Sequence, residues 1–186
     1  GGNPCFTVEN VTQDRYYPGP QLAVDDAVAG DVIRAYGWVY TDSVTINKSL
    51  TLQGVGAGTT VISGTDSGRG VYIPDNTQGV TVTDMTVRNF EDGIVFGTYG
   101  DTITDVLISD VETVTNTRHG VLSNAEQLSD ITLTRVSASY NGTVTGWARG
   151  VFFQSSGASR NGVTIEDGTF SHNALVGIDF NIGQAT

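Results

Sequence analysis

The phrase Asn-x-x-x-Gly followed by Ile or Val occurs as Asn89…Gly93-Ile94, Asn116…Gly120-Val121 and Asn173…Gly177-Ile178, and returns with an insertion as Asn141…Gly150-Val151. Gly70-Val71 fits the same column, so the glycines stand 23, 27, 30 and 27 residues apart. Recurrence at that interval marks a solenoid, in which each repeat buries its apolar face only by stacking on the next. Between the glycines run short alternating segments such as Val44-Thr-Ile46, Leu50-Thr-Leu52, Val71-Tyr-Ile73 and Val80-Thr-Val82, broken nearly everywhere by Gly, Asn or Asp. Heavy use of Val, Thr and Gly favours strands and tight turns. Hairpin dipeptides between long strands are scarce, so a meander or sandwich fits poorly. The period varies only in polar stretches, between Phe96 and Ile103, Ser123 and Ile131, Asn141 and Gly150, and Phe153 and Val163, as loops leaving a rigid coil should.

The expected architecture is a coil with three short strands per turn, each pairing in parallel with its equivalent about 4.8 Å away in the next turn. Like residues then stack inside: Val71, Ile94, Val121, Val151 and Ile178 in one file, and Ile73, Phe96, Ser123, Phe153 and Phe180 in another. The recurring Asn bonds the backbone at a bend and the Asn of the next turn. About six to seven turns fit the length, a rod of roughly 30 Å. Residues 1–186 read as one domain, with 1–30 as an N-terminal strand and capping helix and 31–186 as coils. Pro18-Gly19-Pro20 opens that helix over 20–29, Ala23, Val24, Ala27 and Val28 form its stripe, and Gly30 closes it. The chain stops at Gly177–Thr186 with no amphipathic closing segment, so its C-terminal end reads as uncapped. The early strand from Phe6 through Val8 to Val11 is a donor for a neighbour's open end, and head-to-tail repetition of that contact would build a filament.

The stretch Ala23-Val-Asp-Asp-Ala-Val-Ala-Gly-Asp-Val-Ile33, then Val44-Thr-Ile-Asn-Lys-Ser-Leu-Thr-Leu-Gln-Gly54, then the Asn…Gly-Ile repeats, resembles the right-handed parallel β-helix of the pectin-lyase-like superfamily. The similarity is greatest to the opening module of secreted and cell-surface β-helix proteins and covers the chain from about Val8. It implies an all-β, single-stranded solenoid with a short helix over its N-terminal end. The same scaffold carries lyases, hydrolases, epimerases, adhesins and phage spikes, so it names no activity. The polygalacturonase-like hydrolases carry Asn-Thr-Asp, Asp-Asp, Gly-His-Gly and Arg-Ile-Lys. This chain offers Asn116-Thr117-Arg118-His119-Gly120, with Arg where the acid belongs, and its Asp25-Asp26 pair lies in the cap helix. The Asp-Pro-His signature of mannuronan epimerases is absent, and no lyase motif of a basic residue beside calcium-binding acids matches.

Stacking nonetheless creates candidate columns. The residue before each column glycine is Arg69, Asp92, His119, Arg149 and Val176 in turn. Asp92, His119 and Arg149 are the catalytic candidates, an Asp–His pair flanked by Arg being able to do acid–base work. The competing reading is a surface ladder of alternating charges. Asp84, Asp110 and Asp167 stack with Arg135 between them; the acids offer oxygens to calcium, or they cap turns. No other cofactor is expected. Outward residues after the column glycine are Tyr72, Val95, Leu122, Phe152 and Asp179. This row is either an apolar contact surface for glycan or protein, or is covered by insertions carrying Tyr99, Tyr140 and Trp147.

A net charge of −11 with a single lysine argues against nucleic acid and against an anionic membrane surface. One cysteine, Cys5, excludes an internal disulfide framework and a cysteine-based zinc site, leaving an inert thiol or an intermolecular bridge. No apolar run is long enough to span a bilayer and no basic-plus-apolar leader is present. Asn-x-Ser/Thr triplets at Asn10, Asn47 and Asn141 are compatible with export. The expectation is a secreted or cell-surface structural or adhesive module of a surface, matrix or filament, associating with itself or another surface protein. Its expected interface comprises Tyr72, Val95, Leu122, Phe152, Trp147, Phe6 and Val8. The alternative is a polysaccharide-active enzyme or glycan-binding module of the same superfamily.

Overall fold

Successive windings of the chain lie one strand above another in the computed structural model, which describes residues 7–98, 102–142, 147–155 and 160–182. The result is an all-β parallel solenoid of about 5 turns with one short helix. One sheet holds six strands in the order Val176–Ile182, Arg149–Ser155, His119–Ser123, Asp92–Phe96, Arg69–Ile73 and Val44–Thr45, all paired in parallel. The main path of the other sheet runs from Arg160–Glu166 through Gln127–Thr134, Thr102–Val114, Gln78–Arg88, Leu50–Gln53 and Asp31–Ala35 to Val8–Asn10 and Arg15–Tyr17. Gln78–Arg88 and Thr102–Val114 turn a corner at Asp84 and Asp110, so each supplies two of the three short sides of a winding.

The interior files follow the expected register. Ile94 pairs with Val71 and Val121, Val121 with Val151, and Val151 with Ile178. The first four are fully buried, as are Ile73, Phe96 and Phe153 in the neighbouring file. The winding count is lower than six to seven because the first thirty residues build a cap instead of a coil, and the insertions consume chain without adding a rung. By strand spacing, about five rungs make a rod of roughly 24 Å.

Two features set the pitch. The corners are left-handed: Asp84, Asp110, Arg135 and Asp167 have φ of 59°, 54°, 51° and 53°, a region Asp tolerates because its short polar side chain bonds locally. The column glycines serve close approach. A Cβ on Gly93 would stand 2.5 Å from the Gly120 carbonyl oxygen, and one on Gly150 the same distance from that of Gly177. Beside them runs a buried Asn ladder. Asn173 Oδ1 accepts the backbone N–H and Nδ2–H of Asn141 at 3.0 and 3.1 Å, and Asn141 Oδ1 accepts those of Asn116 at 3.1 and 3.0 Å. Asn89 is not a rung. It sits at the left-handed corner, φ 56°, and Phe90 takes the ladder position, its N–H donating to Asn116 Oδ1. The turn after Phe90 is one residue shorter than the turn after Asn116, which shifts the phrase by one place.

The N-terminal strand Val8–Asn10 is antiparallel to Arg15–Tyr17 on one edge and to Asp31–Ala35 on the other. Both edges are used and Val8 is fully buried in the chain's own core, so it is not an interface residue and the strand is not available for donation to a neighbour. Phe6, Cys5 and Tyr99 lie outside the described residues. The helix spans Pro20–Asp26 and buries Pro20, Ala23 and Val24. It ends at Ala27, short of Gly30, because the only lysine closes it: Lys48 Nζ donates to the carbonyls of Val24, Asp25 and Ala27 at 3.1, 3.2 and 2.9 Å. At the other end the inward residues Val163, Ile165, Phe170 and Ile178 are only partly buried, and Phe180, stacked on Phe153 at 4.9 Å, is 46 % exposed. No helix among the described residues is long and apolar enough to cross a membrane.

Candidate functional site

The column Arg69, Asp92, His119, Arg149 and Val176 forms on the six-stranded sheet: Asp92 pairs with Arg69 and His119, and Arg149 with Val176. Asp92, His119 and Arg149 are all buried. Parallel stacking joins them in an unexpected way, the Asp92 and His119 side chains each accepting a backbone N–H of the next winding. Asp92 Oδ1 accepts the His119 N–H at 3.2 Å, and His119 Nδ1 accepts the Arg149 N–H at 3.2 Å. Arg118, one residue off the column, grips the other carboxylate oxygen of Asp92 at 3.1 Å and Glu91 at 2.7 Å. Arg149 donates from Nε to Asp179 at 2.5 Å and from a terminal nitrogen to the Trp147 carbonyl at 2.9 Å.

The row Tyr72, Val95, Leu122 and Phe152 is not an open contact surface. Val95, Leu122 and Phe152 are buried in a small second cluster, with Tyr72 partly buried against it. The cover comes from the column itself: the Arg149 guanidinium lies 3.9 Å over the Phe152 ring, His119 tilts against the same ring at 5.1 Å, and Arg69 lies 4.3 Å over Tyr72. Tyr140 is elsewhere, stacked on His172 at 4.6 Å, and Trp147 is 70 % exposed, so neither covers the row. Trp147 instead borders an open cleft of about 410 Å³ lined also by Arg118, His119, Arg149, Phe152, Gln154 and Asn181.

The Asp84, Asp110 and Asp167 column faces a different side, where Asp84 and Asp110 line a shallow depression with Glu112 and Arg135. Arg135 clasps Asp110 through two hydrogen bonds of 2.7 Å, holding its carboxyl below the usual range. Among the described residues no group of three or more His, Cys, Asp or Glu side chains is gathered as a metal would require.

Burial drives the Asp92 carboxyl up from 3.8 to about 6, against the opposing pull of Arg118 and the His119 N–H. Burial, then Arg118 and Arg149, drive the His119 imidazole down from 6.5 to about 3. With Nδ1 accepting, the neutral ring carries its proton on Nε2 and is a donor at neutral pH. The two shifts oppose each other in stability. Below pH 6.5 the unfolded chain protonates His119 and the native one does not, so stability falls with acid. Below pH 6 the native chain protonates Asp92 before the unfolded one, so stability rises by about 3 kcal/mol as pH drops past 4. Asp92→Asn removes only the second effect. Its unfolding free energy in urea is therefore expected to fall between pH 7 and pH 4 by about 2 kcal/mol more than that of the parent; parallel pH curves would refute the assignment.

No protein-family model, curated protein or solved structure matches the chain.

Proposed function

We propose that the chain is an extracellular structural and adhesive β-solenoid module, of the pectin-lyase-like kind, that holds a polysaccharide in the Trp147 cleft without cleaving it. The observation that carries this reading is the occupation of the column's proton-accepting atoms. Both Asp92 oxygens and His119 Nδ1 are committed to neighbouring N–H groups. The carboxylate nearest Asp92, that of Glu91, is bound to the same Arg118 guanidinium, and Asp179, three strand steps or about 14 Å away, is bound to Arg149, so among the described residues of this face every carboxylate near the column is already paired, whereas glycoside hydrolysis uses two carboxyl groups free to flank the bond. An exposed indole beside Gln154 and Asn181 suits a sugar ring, which has an apolar face and hydroxyl edges. Both arginines of the cleft are paired with carboxylates, Arg118 with Glu91 and Asp92, and Arg149 with Asp179, which leaves no excess positive charge, so a neutral, hydroxyl-rich glycan fits better than a polyanion. Attachment to a second copy or another surface protein belongs to the same reading.

Neutral polysaccharides cast into a native gel should retard the protein more than acidic ones, and Trp147→Ala should weaken retention about tenfold, ~1.4 kcal/mol. Equal mobility with and without every polysaccharide would sink the proposal. A lyase, hydrolase or epimerase is the rival reading, favoured by Asp92 alone, whose raised carboxyl resembles a general acid. New reducing ends or unsaturated products, lost in Asp92→Asn, would establish it.

A further inference from the structure

The three Asn-x-Ser/Thr triplets are chemically alike in sequence, and the fold treats them differently. Asn10 is fully buried: its Nδ2 donates to Asp31 at 2.7 Å, and its Oδ1 accepts the N–H groups of Thr12 and Gln13 at 3.2 Å. Asn141 is a rung of the ladder, 1 % exposed, with Nδ2 donating to the Thr113 carbonyl and to Asn173 Oδ1 at 3.0 and 3.1 Å. A sugar on Asn141 Nδ2 would replace a hydrogen that bonds two windings together, and a sugar on either residue would have to fit inside a packed core.

Asn47 differs on every count. It is exposed on the loop between Val44–Thr45 and Leu50–Gln53, and no described residue bonds its carboxamide. Its flanks are pinned. The Ile46 N–H donates to the Tyr72 carbonyl at 2.8 Å, Lys48 closes the cap helix, and Ser49 Oγ donates to the Gly79 carbonyl at 3.0 Å while its own carbonyl accepts the Gly30 N–H at 2.8 Å. The loop thus presents the carboxamide to solvent without rearranging the coil. The strand leading into it lies three steps from His119 on the same sheet, about 14 Å, so a large group there leaves the Trp147 cleft open.

We propose that Asn47, alone of the three, is an N-glycosylation acceptor, an inference that rests on the extracellular reading for its setting and on the fold for its selectivity. The donor is an oligosaccharide carried on a lipid diphosphate. Asn47 Nδ2 forms a bond to the anomeric carbon, the bond from that carbon to the phosphate oxygen breaks, and its electron pair departs with the lipid diphosphate. One amide proton passes to a base of the transferase.

The test presents folded protein and urea-denatured chain separately to an oligosaccharyltransferase that accepts the bare triplet, with its lipid-linked donor, and reads occupancy peptide by peptide by mass spectrometry. The folded protein is expected to gain one glycan, at Asn47, and Asn47→Gln none, while the denatured chain is modified at all three triplets. An unmodified Asn47 in the folded protein beside a modified denatured control overturns the proposal, as does a glycan on Asn10 or Asn141 of the folded protein. The assay on purified protein is independent of location. Confinement of the protein to the cell interior would instead sink the extracellular reading and leave the acceptor result standing.

Discussion

Gly120→Ala is expected to destabilise the protein by about 3 kcal/mol, a large share of an ordinary domain's stability. The added methyl would meet Thr113 Oγ1 at 2.5 Å, the Gly150 carbonyl oxygen at 2.7 Å and Asn141 Nδ2 at 2.9 Å. Two of those atoms belong to neighbouring windings bonded through the ladder, so neither can retreat without dragging its rung along. Gly19→Ala is the control: its backbone is extended and the nearest atom to the new methyl is 3.7 Å away. It should cost no more than about 1 kcal/mol, the difference between the two residues as a helix N-cap. Urea unfolding of both variants reads the difference, and similar midpoints would show that close approach does not set the pitch.

Asn141→Ala should cost even more, about 4 kcal/mol. Its loss removes the partner of the Asn116 N–H, of the Asn116 carboxamide and of the Thr113 carbonyl together, each a buried polar group worth about 1–3 kcal/mol when unpaired, while Asn173 Oδ1 keeps the backbone N–H of residue 141. Asn141→Asp keeps the acceptor but sets a carboxylate against the Thr113 carbonyl and Asn173 Oδ1, and should be no better tolerated. Asn89→Ala, in the same sequence phrase, should cost only about 1 kcal/mol, the penalty of a left-handed backbone without a polar side chain. Thermal or urea midpoints ordering Asn89→Ala with Asn141→Ala would contradict the ladder.

That contrast shows which parts of the molecule were legible in the residues. The interior files were, because Val71, Ile94, Val121 and Val151 announce a period that only stacked windings satisfy. The identity of the rungs was not. Asn89 and Asn116 stand equally far from their glycines, and only backbone pairing reveals that the turn after Asn116 holds an extra residue, from which Arg118 reaches Asp92 and Glu91. The cover over Phe152 was half visible, since Arg149 and Phe152 stand three apart just as Arg69 and Tyr72 do. Nothing local announced that His119 and Asp92 would spend their acceptor atoms on backbone, because that geometry belongs to parallel strands meeting in register. Lys48 closing the cap helix was hidden for a related reason, its carbonyl partners lying 21 to 24 positions away.

The corner that absorbs the extra residue at Arg118 has an evolutionary corollary. Any insertion or deletion within a strand would displace every file beyond it by one place and turn its apolar side chains outward. A change of length at a corner is swallowed locally, and the gain or loss of one whole winding merely lengthens or shortens the stack. Such a molecule can grow by copying a single segment of its gene, with each duplicate arriving already complementary to the one beneath it.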